Sequence, residues 1–158
     1  DGTANSESLD GIGGLWGGGK IQVQPEGGDN TNLVFSHKAR TAHYNGVNIY
    51  LDACMNAGTD YTFTFQHRLH GEGPNGEGDT IIGFFGYTLP NGEWKHKYFL
   101  FCNEASSNSK WSSCEGSIRV DDEMATAVKL AVSFWYRSPW NLFPFDFDDV
   151  FFMPKGGS

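Results

Sequence analysis

The feature that most constrains this fold is a period-two alternation of apolar and polar residues between positions 61 and 70. Successive side chains of a β-strand point to opposite faces, so a period of two predicts a half-buried strand. The predicted core face carries Tyr61, Phe63, Phe65 and Leu69. The opposite face carries Gln66 and Arg68, which are therefore candidates for ligand contact.

Residues 128–137 alternate in the same way. Their predicted core face carries Leu130, Val132, Phe134 and Tyr136. Trp135 falls on the other face, between Ser133 and Arg137. A large aromatic side chain on the outward face of a strand is a natural stacking platform, so we identify Trp135 as a candidate ligand-binding residue.

Other short segments, each bounded by Gly, Asn, Asp or Pro, are also predicted to be strands. They are residues 20–24, 32–37, 40–43, 47–51, 80–89, 94–102, 116–121 and 145–153. The only helix-compatible stretch lies around residues 51–57 and is one or two turns long at most. With 158 residues, the chain is predicted to be a single all-β domain, an antiparallel sandwich or barrel.

Composition and charge exclude several classes of function. The net charge of −8 argues against nucleic acid as a partner, and no apolar run is long enough to predict a membrane span. The chain begins at Asp1 without an apolar leader, so we expect a mature or excised domain of a larger protein.

The three cysteines bear on the redox compartment. Cys102 and Cys114 bracket a polar loop that would return the chain beside itself, and a disulfide between them would indicate a secreted origin. Three unpaired thiols in a cytosolic protein are the alternative. Cys54 is left over and is expected to be a small buried residue.

Several segments occur in an order that resembles carbohydrate-binding modules of families four, nine and twenty-two. An apolar strand ends in Arg40, an aromatic-x-Gly step follows at Tyr44, and a Gly-x-x-Tyr-x-Phe strand begins at Gly58. Farther on come a Trp-x-x-x-x-Gly strand from Trp111 and an aromatic strand with Asp-Asp-Val at residues 148–150. The resemblance covers residues 8 to 153.

This resemblance implies a jelly-roll β-sandwich of two antiparallel sheets with a glycan-binding cleft on the concave face. It implies that Arg40 contacts sugar and that Trp135 and Arg137 occupy cleft positions, although glutamate is usual where Arg137 stands. Gln66 lies where the family often has an aromatic residue. Trp140 lies in a loop that would overhang the cleft, and Trp111 would pack inside the sandwich.

The resemblance also implies a structural calcium ion. Asp148 and Asp149 match the family's terminal Asp-Asp, and Asp10 or Glu7 would contribute from the amino-terminal segment. Calcium takes six to eight oxygen ligands, so backbone carbonyls would complete such a site.

No sequence pattern for catalysis is recognised. The Glu-x-Asp-x-x-Glu pattern of jelly-roll glucanases, the Gly-x-Ser-x-Gly elbow and the HExxH motif do not occur. We therefore expect a non-catalytic module of a secreted or cell-surface protein that binds a β-linked polysaccharide, either a β-glucan, xylan or an acidic glycan. The alternative is a structural or adhesion sandwich without a sugar site.

Overall fold

The computed structural model describes residues 12–15, 20–26, 29–42, 44–51, 55–71, 80–102, 110–137 and 142–155. Most of them lie in strands. The strands are β1 (Ile12–Leu15), β2 (Lys20–Glu26), β3 (Asp29–Lys38), β4 (Gly46–Leu51), β5 (Asp60–Leu69), β6 (Thr80–Thr88), β7 (Trp94–Cys102), β8 (Ser112–Arg119), β9 (Lys129–Arg137) and β10 (Phe145–Pro154). One turn of 3-10 helix, Met124–Thr126, precedes β9.

The strands form two five-stranded sheets in which every hydrogen-bonded pair is antiparallel. Sheet I has the order β1-β4-β9-β6-β7, and sheet II has the order β2-β3-β10-β5-β8. Consecutive strands often lie in different sheets, so the chain crosses repeatedly between the two layers. The predicted all-β jelly-roll sandwich is confirmed.

The core lies between the sheets and is largely aromatic. The predicted core faces of β5 and β9 are confirmed, because Phe63, Phe65 and Phe134 are almost completely buried. Phe65 of sheet II stacks on Phe134 of sheet I with ring centroids 4.3 Å apart. Full burial of each such ring contributes about 1.5–3 kcal/mol, so this contact helps to fix how the two sheets face each other.

The segment after β3 differs from the prediction of a strand at residues 40–43. Ala39 takes a positive φ of 56°, which ends the extended chain, and no strand is assigned to the described residues between β3 and β4. The Asn45 Oδ1 atom instead accepts hydrogen bonds from the backbone N–H groups of Thr41 and Ala42, each at 2.8 Å. A side-chain amide that satisfies backbone donors in this way stabilises a turn rather than a strand.

A disulfide joins Cys102, the last residue of β7, to Cys114 of β8. Since β7 and β8 are the edge strands of different sheets, the bond closes the sandwich along one side. The predicted pairing is therefore present. Cys54 and residues 52–54 of the predicted helical stretch lie outside the described residues, whereas Leu51 ends β4 and no helix is assigned to residues 55–57.

Candidate ligand-binding face

The outer face of sheet I, which we call the aromatic face, carries most of the rings that point away from the core. Register places Trp135 opposite Ile82, which in turn faces Phe101, and it places Phe84 opposite Tyr98. The rings of this face are Tyr50, Phe84, Trp94, Tyr98, Phe101 and Trp135. Tyr50, Trp94, Tyr98 and Phe101 are exposed, which is unusual for so many rings on one strand surface.

Three apolar side chains form the floor of this face. Ile82, Phe84 and Trp135 make a small buried cluster that is separate from the main core. Trp135 points outward as its position in the alternation predicted, but only 6% of its surface is exposed. Its neighbours Phe84 and Tyr98 meet it edge to face. Trp135 therefore supports the surface from below rather than standing open as a stacking platform.

A groove of about 490 Å³ lies over part of this floor. Its lining residues are Tyr44, Ile82, Tyr98, Phe101, Trp135 and Arg137. Tyr98 is 49% exposed and Phe101 is 60% exposed, so their rings form an accessible wall. Arg137, at the end of β9, brings a charged guanidinium to the same groove.

The edge strand β7 extends the row of rings beyond the groove. Trp94 stacks on His96 with centroids 4.9 Å apart, and His96 meets Tyr98 at 5.5 Å. The Trp94 indole also covers Gly86, where an added Cβ would lie only 3.2 Å from the indole nitrogen. The missing side chain at Gly86 thus lets the indole lie against the neighbouring strand.

The rings of β7 were missed as site residues in the sequence, although a signal was present. Trp94, His96 and Tyr98 alternate with Lys95 and Lys97, a period of two like that of the core strands. The register places the aromatic set on the outer face and the lysines on the other side, where they pair with acidic residues. On an edge strand the aromatic set therefore does not have to be the buried set.

Gln66 and Arg68 lie on the outer face of sheet II, on the opposite side of the molecule from Trp135. Gln66 Nε2 donates a hydrogen bond to Ser113 Oγ at 2.6 Å. The expectation that these two residues share one cleft with Trp135 is wrong. Their strand belongs to the other sheet, so its outward side chains face away from the groove.

Arg68 belongs to a packed polar cluster. Its Nε atom donates to Asp146 Oδ2 at 2.7 Å, and the same oxygen lies 2.7 Å from His70 Nε2. The guanidinium carbon lies 4.4 Å from the centre of the Trp111 ring. Trp111 is only half-buried on this outer surface, so the expectation that it packs inside the sandwich is wrong.

Arg40 is almost completely buried beside the groove end of β9. Its guanidinium donates hydrogen bonds to the carbonyl oxygens of Asn45, Phe143 and Tyr136, the last at 2.6 Å. These bonds join three separate segments of the chain. The geometry assigns Arg40 a structural role, whereas the resemblance implied direct contact with sugar.

A second groove, of about 480 Å³, lies on the outer face of sheet II. Its lining includes Gln66, Ser113, Glu115, Asp149 and Phe151. It carries fewer aromatic rings than the aromatic groove, and Phe151 is the most exposed ring there at 37%. Because this groove lies on the other sheet, it serves as a control site when binding to the aromatic groove is tested.

The predicted calcium ligands are only partly within the described residues. Asp148 is half-buried on β10, and Asp149 is exposed with a φ of 50° beside a register shift. Within the described ranges, no three His, Cys, Asp or Glu side chains lie close enough to hold a metal ion. Asp10, the third predicted ligand, lies outside those ranges, as does Trp140 of the predicted loop over the cleft.

Solved structures show which class of fold this is. It is the jelly-roll β-sandwich of carbohydrate-binding modules, and the similar structures include several of family 22. A xylan-binding domain of Paenibacillus barcinonensis Xyn10C matches with a TM-score of 0.71 and 19% identity, over 93% of each chain. The Clostridium thermocellum Xyn10B fragment solved with xylohexaose matches with a TM-score of 0.74 and 18% identity, over 93% of this chain but 26% of that one.

The same fold also occurs in other settings. The enzymatically active domain of bacteriophage CBA120 tailspike protein 4 matches with a TM-score of 0.60 and 10% identity, over 94% of this chain and 20% of that one. No protein-family model matches the sequence, and no curated protein matches it. In the described part of the chain, no helix is long and apolar enough to cross a membrane. With 10–19% identity, the similarity to these solved structures is a similarity of fold.

Proposed function

We propose that this chain is a non-catalytic carbohydrate-binding module that holds a β-linked polysaccharide on the aromatic face of sheet I. The observation that carries the proposal is the groove in which Tyr98 and Phe101 stand exposed over the Ile82 and Trp135 floor. A pyranose ring has an apolar C–H face that packs on aromatic rings. Its hydroxyl groups would remain available to polar side chains such as Asn48 on the same face.

The shape of the face favours an extended glycan chain over a small sugar. Trp94, His96, Tyr98 and Phe101 make a continuous row of ring contacts along β7, with each pair of centroids 4.9 to 6.4 Å apart. The row is open to solvent along its length. Successive sugar residues of one chain would each find an aromatic surface there, and xylan is the first candidate because similar modules are named for binding it.

The outer positions of sheet I also favour binding over hydrolysis. Glycoside hydrolysis needs a pair of carboxyl groups on either side of the scissile bond. The outward positions of β4, β6, β7 and β9, all within the described residues, carry no Asp or Glu side chain. We infer a secreted module of a multidomain protein, since similar modules occur within xylanases and the chain carries a disulfide.

Two exposed phenylalanines on opposite faces provide a matched test. Phe101→Ala and Phe151→Ala each remove one exposed ring, from the aromatic groove and the sheet II groove respectively. Affinity electrophoresis and calorimetry against xylan, β-glucans, chitin and alginate would measure binding. We expect Phe101→Ala to weaken glycan binding by about tenfold, the value of one good ring contact, and Phe151→Ala to leave it unchanged.

Two other outcomes would redirect the assignment. If Phe151→Ala abolishes binding while Phe101→Ala does not, the sheet II groove is the site. If the unaltered chain binds none of these glycans, the proposal fails. A structural or adhesion domain whose exposed rings contact protein then becomes the better explanation.

A further inference from the structure

We propose that the aromatic groove selects glycans with anionic substituents, and that Arg137 is the residue that recognises them. The inference rests on the proposed function, since it assigns a ligand class to the same groove. The expected partner is a β-linked chain bearing a uronic acid carboxylate. A sulfate ester offers the same kind of anionic oxygens, and the test separates the two.

The charge on the aromatic face is opposite to that of the whole chain. The protein has a formal charge of −8, with 19 acidic residues against 11 lysines and arginines. Yet the charged side chains that point outward from the described strands of sheet I are two cations, Lys129 and Arg137. His96 points outward on the same sheet. Sheet II instead presents both signs outward, with Glu115, Asp146 and Asp148 on the same face as Arg68 and Arg119.

Arg137 is the cation that this groove contains, and it has no acidic partner among the described residues. The other described arginines are engaged: Arg68 and Arg119 pair with aspartates, and Arg40 bonds backbone carbonyls. Arg137 is exposed at the end of β9, and Thr80 lies directly across the ladder from it. Within the part of the chain that the structure describes, no ion pair of this guanidinium would have to break for a ligand to bind.

The chemistry of the guanidinium group matches this ligand. Its planar fork can donate two parallel hydrogen bonds to a carboxylate, which a lysine ammonium cannot reproduce. The sugar ring would pack on Tyr98 and Phe101 while a pendant carboxylate reached Arg137, since all three side chains line one groove. Salt screens interactions between exposed charges that are more than about 8–10 Å apart. The distant acidic residues of the chain therefore do little to weaken the attraction between Arg137 and a bound carboxylate.

The experiment compares three chains that share one backbone: glucuronoxylan, the same polymer after reduction of its carboxyl groups, and a sulfated xylan. Calorimetry with the 158-residue chain is carried out at low and at high salt. An exposed charge pair changes affinity by up to about fivefold, so we expect glucuronoxylan to bind about fivefold more tightly than its reduced form, with the difference lost at high salt.

Arg137→Gln should remove the preference for glucuronoxylan over its reduced form. Arg137→Lys should retain part of it, because it keeps the charge but not the fork. Arg119→Gln, which removes an exposed arginine from sheet II, is the matched control and should keep the full preference. The melting temperature of each variant would establish that it is folded.

The remaining outcomes decide between the two proposals. Equal binding of glucuronoxylan and its reduced form, or a preference that survives in Arg137→Gln, would overturn the role of Arg137 but leave the glycan-binding function standing. A preference shown only for the sulfated polymer would assign the site to sulfate esters and overturn the uronate. Failure of all three polymers to bind would overturn both proposals.

Discussion

The ring of Tyr98 meets the indole of Trp135 edge to face, with their centroids 6.3 Å apart. The two residues lie on β7 and β9, and the contact therefore reaches over the intervening strand β6. Tyr98 is half exposed whereas Trp135 is almost completely buried. Trp135 therefore holds the Tyr98 ring in position, and the Tyr98 ring provides the exposed surface.

Replacing these two residues should separate stability from binding. Trp135→Ala removes a buried indole and is expected to cost about 3–5 kcal/mol of unfolding free energy, with weaker glycan binding because Tyr98 loses its support. Tyr98→Ala should weaken binding to a similar degree and cost less than about 1 kcal/mol, since its ring is already half in water. Urea denaturation and calorimetry measure the two effects. A Trp135→Ala variant that folds and binds normally would contradict the proposed site.

Arg40 should behave as a structural residue. Arg40→Lys keeps the positive charge but not the geometry that reaches three carbonyls, and each hydrogen bond from a charged donor contributes about 1.5–3 kcal/mol. We expect a loss of about 2–4 kcal/mol in unfolding free energy and an unchanged glycan affinity of the folded protein. The exposed Arg119→Lys is the matched control. Weakened binding with unchanged stability would restore the sugar contact implied by the resemblance.

The alternation of apolar and polar residues was sufficient to predict which side chains of β5 and β9 face the core. The period of two in residues 61–70 and 128–137 correctly assigned Phe65 and Phe134 to the core, where they stack on each other. Burial on one face is a property of the strand itself, so alternation along the chain records it.

The same alternation could not show which strands share one outer surface. Arg68 and Trp135 both point outward, but β5 lies in sheet II and β9 in sheet I, so their side chains are on opposite surfaces. Strand order depends on pairing between distant segments, which a local period does not contain. The burial of Trp135 was missed for the same reason, because the ring of Tyr98 that covers it comes from another strand.

Loss of the disulfide should weaken the sandwich along its closed side. The bond between Cys102 and Cys114 spans 12 positions, and closing a loop of this length contributes about 3 kcal/mol in the chain-entropy model. The double variant Cys102→Ser, Cys114→Ser should lose about that much in unfolding free energy. Cys54→Ser is the control and should leave the bond intact by non-reducing mass spectrometry. A double variant as stable as the parent would contradict the expected role.

Calcium remains a prediction that depends on residues from both ends of the chain. If Asp148, Asp149 and Asp10 bind the ion, saturating calcium should raise the melting temperature relative to chelator, because a ligand at 100 times its Kd adds about 2.7 kcal/mol to the folded state. Asp148→Asn should abolish the increase. Asp121→Asn, which removes an exposed aspartate that pairs with Lys97, is the control. Equal melting temperatures in calcium and chelator would exclude the site.

Two buried histidines should make the protein acid-sensitive. Burial, with the nearby charge of Arg40, lowers the pKa of His37 to about 4, and burial lowers the pKa of His67 to about 4. His37 stacks on Phe145, His67 hydrogen-bonds the Tyr136 hydroxyl, and both rings are completely buried, so a charged imidazolium at either position would lose its hydration.

Because the pKa of each histidine is lower in the folded chain than its ordinary 6.5, the unfolded chain binds more protons between pH 6.5 and 4. Their contribution is therefore complete above pH 6.5 and is lost as the pH falls toward 4, by about 3 kcal/mol for each histidine. Urea denaturation at pH 7.5, 6, 5 and 4 measures the slope. His37→Gln or His67→Gln should each reduce it. A slope in both variants equal to that of the unaltered chain would show that other groups control the acid response.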